Sequence, residues 1–290
     1  AFSPSAVTVN LSLNTVSGGA GNDSFVSFEN VIGSSAVDSI IGNSGNNTIE
    51  GGLGDDGMDG GAGSDALSYT SATSSVTVNL VASTASGGAG IDNFTGFENV
   101  IGSSAADSIL GNVANNIIEG GVGDDTLDGG NGTDALSYAS SPSAVTVNLS
   151  LNTVSGGGGN DSFVNFENVI GSGAADSILG NGANNIIEGG AGDDTLDGGA
   201  GSDALSYAFS PSAVTVNLSL NTVSGGGGND SFVNFENAIG SSAADSITGD
   251  AANNTIEGGA GDDTLDGGDG SDTLSYAFSP SAITVNLSLN

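Results

Sequence analysis

The residues able to do chemistry in this sequence are aspartates, and they recur on a fixed beat. Between residues 18 and 68 the chain reads GGAGNDSFV (18–26), GSSAVDSII (33–41), GNSGNNTIE (42–50), GGLGDDGMD (51–59) and GGAGSDALS (60–68). The shared nonapeptide is G-G-x-G-x-D-x-U-x, with U a large apolar residue: Phe25, Ile40, Ile49, Met58 and Leu67. Position 6 holds Asp23, Asp38, Asp56 and Asp65, and Asn47 in the third nonapeptide. The same positions downstream are Asp92, Asp107, Asp125 and Asp134, then Asp161, Asp176, Asp194 and Asp203, then Asp230, Asp245, Asp263 and Asp272. The third nonapeptide keeps its asparagine throughout, as Asn116, Asn185 and Asn254. A carboxylate beside bare glycine carbonyls is an all-oxygen donor set, the kind a hard cation takes.

Nothing else in the chain could balance that charge. Among 290 residues there is no Lys, Arg or His against 34 Asp and Glu, a formal charge of −34. Self-repulsion on this scale opposes a compact state, so an external cation or a basic partner must supply the positive charge. Low hydrophobicity with high charge usually gives disorder, but 37% of this chain is hydrophobic and placed at fixed positions. The expectation is a chain disordered alone that folds once neutralised.

The same absences exclude whole classes of function. Without His, Cys or Lys, the Ser-His-Asp, Cys-His and Ser-Lys nucleophiles cannot be assembled, nor a Walker loop, nor an imidazole or thiolate zinc site. Two-carboxylate glycoside hydrolysis needs one cleft, whereas these aspartates repeat identically along the chain, so no enzyme activity is expected. No side chain can neutralise a phosphate, which excludes nucleic-acid binding. No apolar run approaches the roughly 20 residues of a membrane-spanning helix, and no membrane insertion is expected.

The elements that must position the aspartates follow from the repeat. The chain divides into 69-residue repeats, 1–69, 70–138, 139–207 and 208–276, and a fifth begins at 277–290. The third and fourth repeats differ at nine of 69 positions. The chain opens without Met and its ends cut through a repeat, so the array is expected to continue beyond both. Glycines at positions 1, 2 and 4 permit the tight turn, and residues 7–9 form a short strand with its central side chain inward. Two nonapeptides make one coil, and stacked coils pair each strand with neighbours above and below. Residues 69–86 number 18 and are expected to add one more coil; in the first repeat the matching stretch alternates Val7, Val9, Leu11 and Leu13 with polar residues, a half-buried strand. Residues 27–32 (SFENVI) read as a shortened half-coil. That makes eight half-coils, about four coils per repeat, in one continuous solenoid. On this count Asp23, Asp38 and Asp56 stack on one side, and Asn47 and Asp65 on the other. The position-6 asparagines either bind a cation weakly or form an asparagine ladder. Glu50 and Asp59, at position 9, are expected to be solvated strand residues, and Phe25, Phe28 and Tyr69 core or stacking residues.

In these nonapeptides the sequence resembles the RTX family, whose Gly- and Asp-rich repeats form a parallel β-roll that binds Ca²⁺. The resemblance implies an all-β, right-handed parallel β-roll or β-solenoid with several Ca²⁺ ions per repeat in the glycine-rich turns. Ligands are then shared between successive turns on one side, and the sixteen position-6 aspartates are the candidate metal ligands. The second nonapeptide (GSSAVD, GSSAAD, GSGAAD) lacks most of the glycines. The resemblance also implies an extracellular, bacterial, secreted protein whose partners are calcium ions and flanking repeats, with end-to-end or lateral self-association. Three roles are open to such a chain. It could be a structural or adhesive array, such as the stalk of a surface adhesin, a surface layer or a filament. It could be the calcium-dependent module of a type I-secreted enzyme or toxin. An ice-binding solenoid would need an outward Thr-x-Asn ladder in consecutive nonapeptides, and the turns read GGAGSD and GGAGDD instead.

Overall fold

The computed structural model describes residues 3–19, 21–277, 279 and 282–286. They form strands and turns throughout, with no helix among them. The chain makes two compact bodies, Ala1–Ser172 and Gly173–Asn290.

In the first body the chain shuttles between two sheets. One is wholly parallel and is built from Asn30–Ser34, Thr48–Gly52, Ala66–Ser68, Asn99–Ile101, Ile117–Glu119, Ala135–Ser137 and Asn168–Ile170. Its register sets the central apolar residues over one another: Ile49 on Leu67, Leu67 on Val100, Val100 on Ile118, Ile118 on Leu136. These side chains are sealed from solvent. The strands are three to five residues long, so each contributes one inward side chain, and stability comes from stacking rather than from any strand alone.

The other sheet contains Ser39–Asn43, Gly57–Gly61, Gly90–Thr95, Ser108–Leu110, Thr126–Asp128 and Ser162–Val164. It departs from the expected coil count. Residues 69–86 do not make a turn of the coil. Val76–Asn79 and Thr84–Gly87 pair antiparallel, and Thr84–Gly87 pairs antiparallel again with Gly90–Thr95, so an antiparallel hairpin is spliced into a parallel sheet. The second repeat therefore still has eight strands, but five lie in this sheet and three in the parallel one.

Local chemistry explains the reversal. After Leu80 the chain turns back because the Asn79 side chain accepts the Ala82 N–H at 2.8 Å and Ser83 takes a left-handed conformation, φ 55°. A second reversal follows at once, where Gly87 faces Gly90 across a two-residue turn. Gly90 has φ +133°, and a Cβ there would stand 1.9 Å from the Gly54 carbonyl oxygen. The bulkiest core side chains gather near the hairpin: Tyr69, Phe94 and Phe97 are buried, and the two phenylalanines meet edge to face at 5.9 Å.

The shortened half-coil is present. Asn99–Ile101 takes its place in the parallel sheet beside Ala66–Ser68. The turn before it is brief because Glu98 reaches back to accept the Asp65 N–H at 3.0 Å, doing with a longer side chain what a position-6 aspartate does elsewhere.

The second body repeats this plan. Ser177–Leu179, Thr195–Asp197 and Ser231–Val233 run parallel, the Val214–Asn217/Thr222–Gly225 hairpin is inserted, and Ser246–Thr248 and Thr264–Asp266 follow. The opposite sheet runs from Ile186–Glu188 to Thr273–Ser275, all parallel.

The glutamates at position 9 of the third nonapeptide are not solvated. Glu50, Glu119, Glu188 and Glu257 are buried. Glu50 accepts the Ser71 N–H and hydroxyl, Glu119 those of Ser140, and Glu188 the Phe209 N–H and the Ser206 hydroxyl. Glu50, Glu119 and Glu188 are covered because each binds the corner that leads into the next hairpin, a contact invisible to strand periodicity.

The left-handed residue of the hairpin loop is Asn14, Asn152 and Asn221 in the sister repeats but Ser83 in the second. Asparagine tolerates that conformation better than serine. Ser83→Asn should therefore raise stability by up to about 1 kcal/mol, read as a higher midpoint in calcium-saturated chemical denaturation.

Candidate calcium-binding corners

Crossovers between the sheets are corners, most of them glycine-rich, and corners stack along two sides of the body. Asp56 belongs to one side. Its Oδ1 accepts the Asp38 N–H at 2.8 Å, and its own N–H donates to Asp92 Oδ1 at 2.9 Å. Asp65 belongs to the other: Oδ1 accepts the Asn47 N–H at 2.7 Å, and its N–H goes to Glu98. The position-6 side chain thus clips each corner to the next, using one carboxylate oxygen.

The second oxygen decides the chemistry. Oδ2 of Asp56 and Asp65 is buried with no hydrogen-bond partner, and so is Oδ2 of Asp125, Asp134, Asp194 and Asp203. Each points over the first glycine of its own nonapeptide. A Cβ on Gly51 would meet Asp56 Oδ2 at 2.3 Å, and one on Gly60 would meet Asp65 Oδ2 at 2.9 Å. The lack of a side chain at these glycines leaves the oxygen room and bare backbone carbonyls for company. Burying an ionised oxygen without a partner costs several kcal/mol unless a charge compensates, and this chain has no positive side chain to offer.

The carboxyl groups respond accordingly. Burial pushes Asp56 up to about 6, only partly offset by the Asp38 N–H, with Asp92 adding like-charge repulsion. Burial likewise pushes Asp125 and Asp194 up to about 7. Asp65, Asp134, Asp203 and Asp263 are raised by the same cause.

The sixteen candidate aspartates fall into distinct environments. The fourth and fifth nonapeptides carry the unpartnered oxygens just described. Asp263 and Asp272 repeat their clips, accepting the Asp245 and Asn254 N–H groups at 3.0 Å each, but are more exposed. In the second nonapeptide the carboxylate is internally satisfied: Asp38 accepts the Ser34 N–H and hydroxyl and the Val7 N–H, Asp107 those of Ser103 and Val76, and Asp245 those of Ser241 and Val214. Asp176 clips to Asp194 through its N–H. In the first nonapeptide Asp92, Asp161 and Asp230 accept a tyrosine hydroxyl, while Asp23 is exposed.

The stacking order also differs from simple counting. The inserted hairpin separates Asp92 from Asp107, so Asp92 stacks on Asp56 of the preceding repeat, and Asp107 holds Val76 of the hairpin instead. The position-6 asparagines Asn47 and Asn116 bond to backbone groups. Asn47 Oδ1 accepts the Asn43 N–H while its amide donates to the Glu29 carbonyl at 2.8 Å, and Asn116 donates to Glu98 in the same way.

Among the described residues no three of His, Cys, Asp or Glu converge on one point. A cation at these corners would have one carboxylate per turn and otherwise backbone carbonyls, a hard all-oxygen set that suits Ca²⁺ and not a transition metal. The profile of the RTX calcium-binding nonapeptide repeat matches residues 13–27, 32–67, 101–136, 151–164, 170–205, 220–233 and 239–274, more than half of the chain. The chain belongs to this family. Its RTX repeats bind Ca²⁺, and the unpartnered oxygens fit that ion. No curated protein matches the chain.

Three partners of these RTX corners escaped the sequence pattern: the tyrosine before each hairpin, the glutamate of the FEN segment and the buried position-9 glutamate. Each lies outside position 6, and only recurrence every 69 residues marks them.

Because burial favours their protonated form, the folded chain without metal holds more protons than the unfolded chain between the ordinary carboxylate range near 4 and about 6 to 7. Stability in chelator should be fully present below that window and fall as pH rises through it. Far-UV circular dichroism in chelator at pH 5 and pH 7.5 checks this: more β structure should be present at pH 5, and the difference should weaken in saturating Ca²⁺.

Proposed function

We propose that this chain is a structural segment of an extracellular bacterial protein, a calcium-stabilised array serving as the stalk of a surface adhesin, a surface layer or a filament. The observation carrying this reading is the recurrence of the same buried, unpartnered carboxylate oxygen at corresponding corners of successive repeats. A fold built this way is completed by a cation common outside cells and scarce within them. Near-identity of the third and fourth repeats supports it further, since nine differences in 69 positions suit a protein whose length is its product. Catalytic sets that rely on His, Lys, Arg or Cys are unavailable, because all four are absent.

On this reading the chain is exported unfolded. Its charge keeps it open where Ca²⁺ is low, and at millimolar Ca²⁺ the binding free energy becomes folding free energy. Each coil touches only its neighbours, so folding spreads along the array. Calcium ions and flanking repeats are its partners, with self-association through unpaired end strands. Far-UV circular dichroism and sedimentation at pH 7.5 test the reading. Compact β structure should appear in 1 to 5 mM Ca²⁺ (order of magnitude for the extracellular range) and be lost in chelator. Equal order in both conditions would remove calcium from the account.

A further inference from the structure

The first nonapeptide of each repeat satisfies the calcium motif through position 6, as GGAGID in residues 87–92 and GGGGND in residues 156–161. The family profile covers the second of these, and by sequence Asp92 and Asp161 are as good a pair of ligands as Asp56 and Asp125. Their structure is different. These glycines do not form a crossover corner between sheets. They form the two-residue turn of the inserted hairpin, Gly87 against Gly90 and Gly156 against Gly159.

The aspartate that follows has no oxygen to spare. Asp92 Oδ1 accepts the Asp56 N–H at 2.9 Å, and Oδ2 accepts the Tyr69 hydroxyl at 2.9 Å. Asp161 is held by the Asp125 N–H at 2.8 Å and Tyr138 at 2.9 Å, and in the second body Asp230 by the Asp194 N–H and Tyr207 at 2.7 Å. All three aspartates and all three tyrosines are buried. The partner supplied to Oδ2 here is the one missing at Asp56, Asp65, Asp125 and Asp134. The tyrosine is the last residue of the preceding repeat, delivered at the point where the chain leaves the parallel sheet for the hairpin.

We infer that Tyr69, Tyr138 and Tyr207 are built-in substitutes for the cation, each phenol holding the carboxylate oxygen that Ca²⁺ would otherwise take, so that the hairpin corners of the second, third and fourth repeats close without metal. The inference rests on the calcium reading above and narrows it. The Asn47 and Asn116 amides, and the Ser34 and Ser103 groups at Asp38 and Asp107, close their corners by the same principle of a protein donor in place of a cation. The second and third repeats are each left with two calcium-demanding aspartates, one on each side, Asp125 and Asp134 in one and Asp194 and Asp203 in the other, and not the four their motifs contain.

Calcium counts on the whole chain by native mass spectrometry and equilibrium dialysis test the inference. The unaltered chain should bind close to two ions per complete repeat. Asp125→Asn should lose one ion, and Asp161→Asn, whose Oδ1 still accepts the Asp125 N–H while its amide donates to the Tyr138 hydroxyl, should lose none. Tyr138→Phe strips the donor from Asp161 Oδ2 and should add one ion, with a steeper dependence of folding on Ca²⁺. A count near four per repeat, a loss of one ion in Asp161→Asn, or an unchanged count in a folded Tyr138→Phe chain would each overturn the latch while leaving calcium-driven folding intact. If Tyr138→Phe does not fold, Asp161→Asn decides alone. No calcium bound by the unaltered chain would instead overturn the reading on which the inference rests.

Discussion

A carboxylate buried in a chain with no positive side chain is the constraint from which this structure follows. Thirty-four acids and no base leave only two ways to close a corner whose aspartate must turn inward to clip the next coil. A cation can neutralise the free oxygen, or a protein donor can occupy it. Both are used. At Asp56 and Asp65 the oxygen waits over a glycine; at Asp38 a serine takes it, and at Asp92 a tyrosine.

The two solutions have different consequences for folding. Parallel half-coils bring together residues 18 positions apart and place buried carboxylates at their corners, so their stability should depend on pH and on a cation. The antiparallel hairpin closes short loops through backbone turns and side-chain donors such as Asn79, and it needs no ion for its turns. Every repeat therefore joins a charge-controlled module to one held by ordinary hydrogen bonds. The buried Glu50 and Glu119 join them, gripping Ser71 and Ser140 where one gives way to the other.

Much of the fold could be read from the nonapeptide because its constraints are local. Glycine at positions 1, 2 and 4 fixes the turn, and a single apolar residue at position 8 fixes which side of a three-residue strand faces the core. Ile49, Leu67, Ile118 and Leu136 lie where that pattern puts them. The position-6 aspartates of the fourth and fifth nonapeptides were legible for the same reason. Counting residues failed at 69–86, where 18 residues fit one coil as well as they fit a hairpin. The two differ only in the path after Leu80, which an asparagine side chain and one left-handed residue decide.

Sequence by itself determined that this protein is a stack of short, repeating strands, cannot assemble a nucleophile activated by His, Cys or Lys, and must draw its positive charge from outside. Those conclusions rest on periodicity and on absent residue types, which no folding can alter. Tertiary structure alone decided which aspartates still need that charge. A carboxylate's demand for a cation depends on the donors around it, and the donors, Tyr69 for Asp92 and the Val76 N–H for Asp107, come from 23 and 31 residues away.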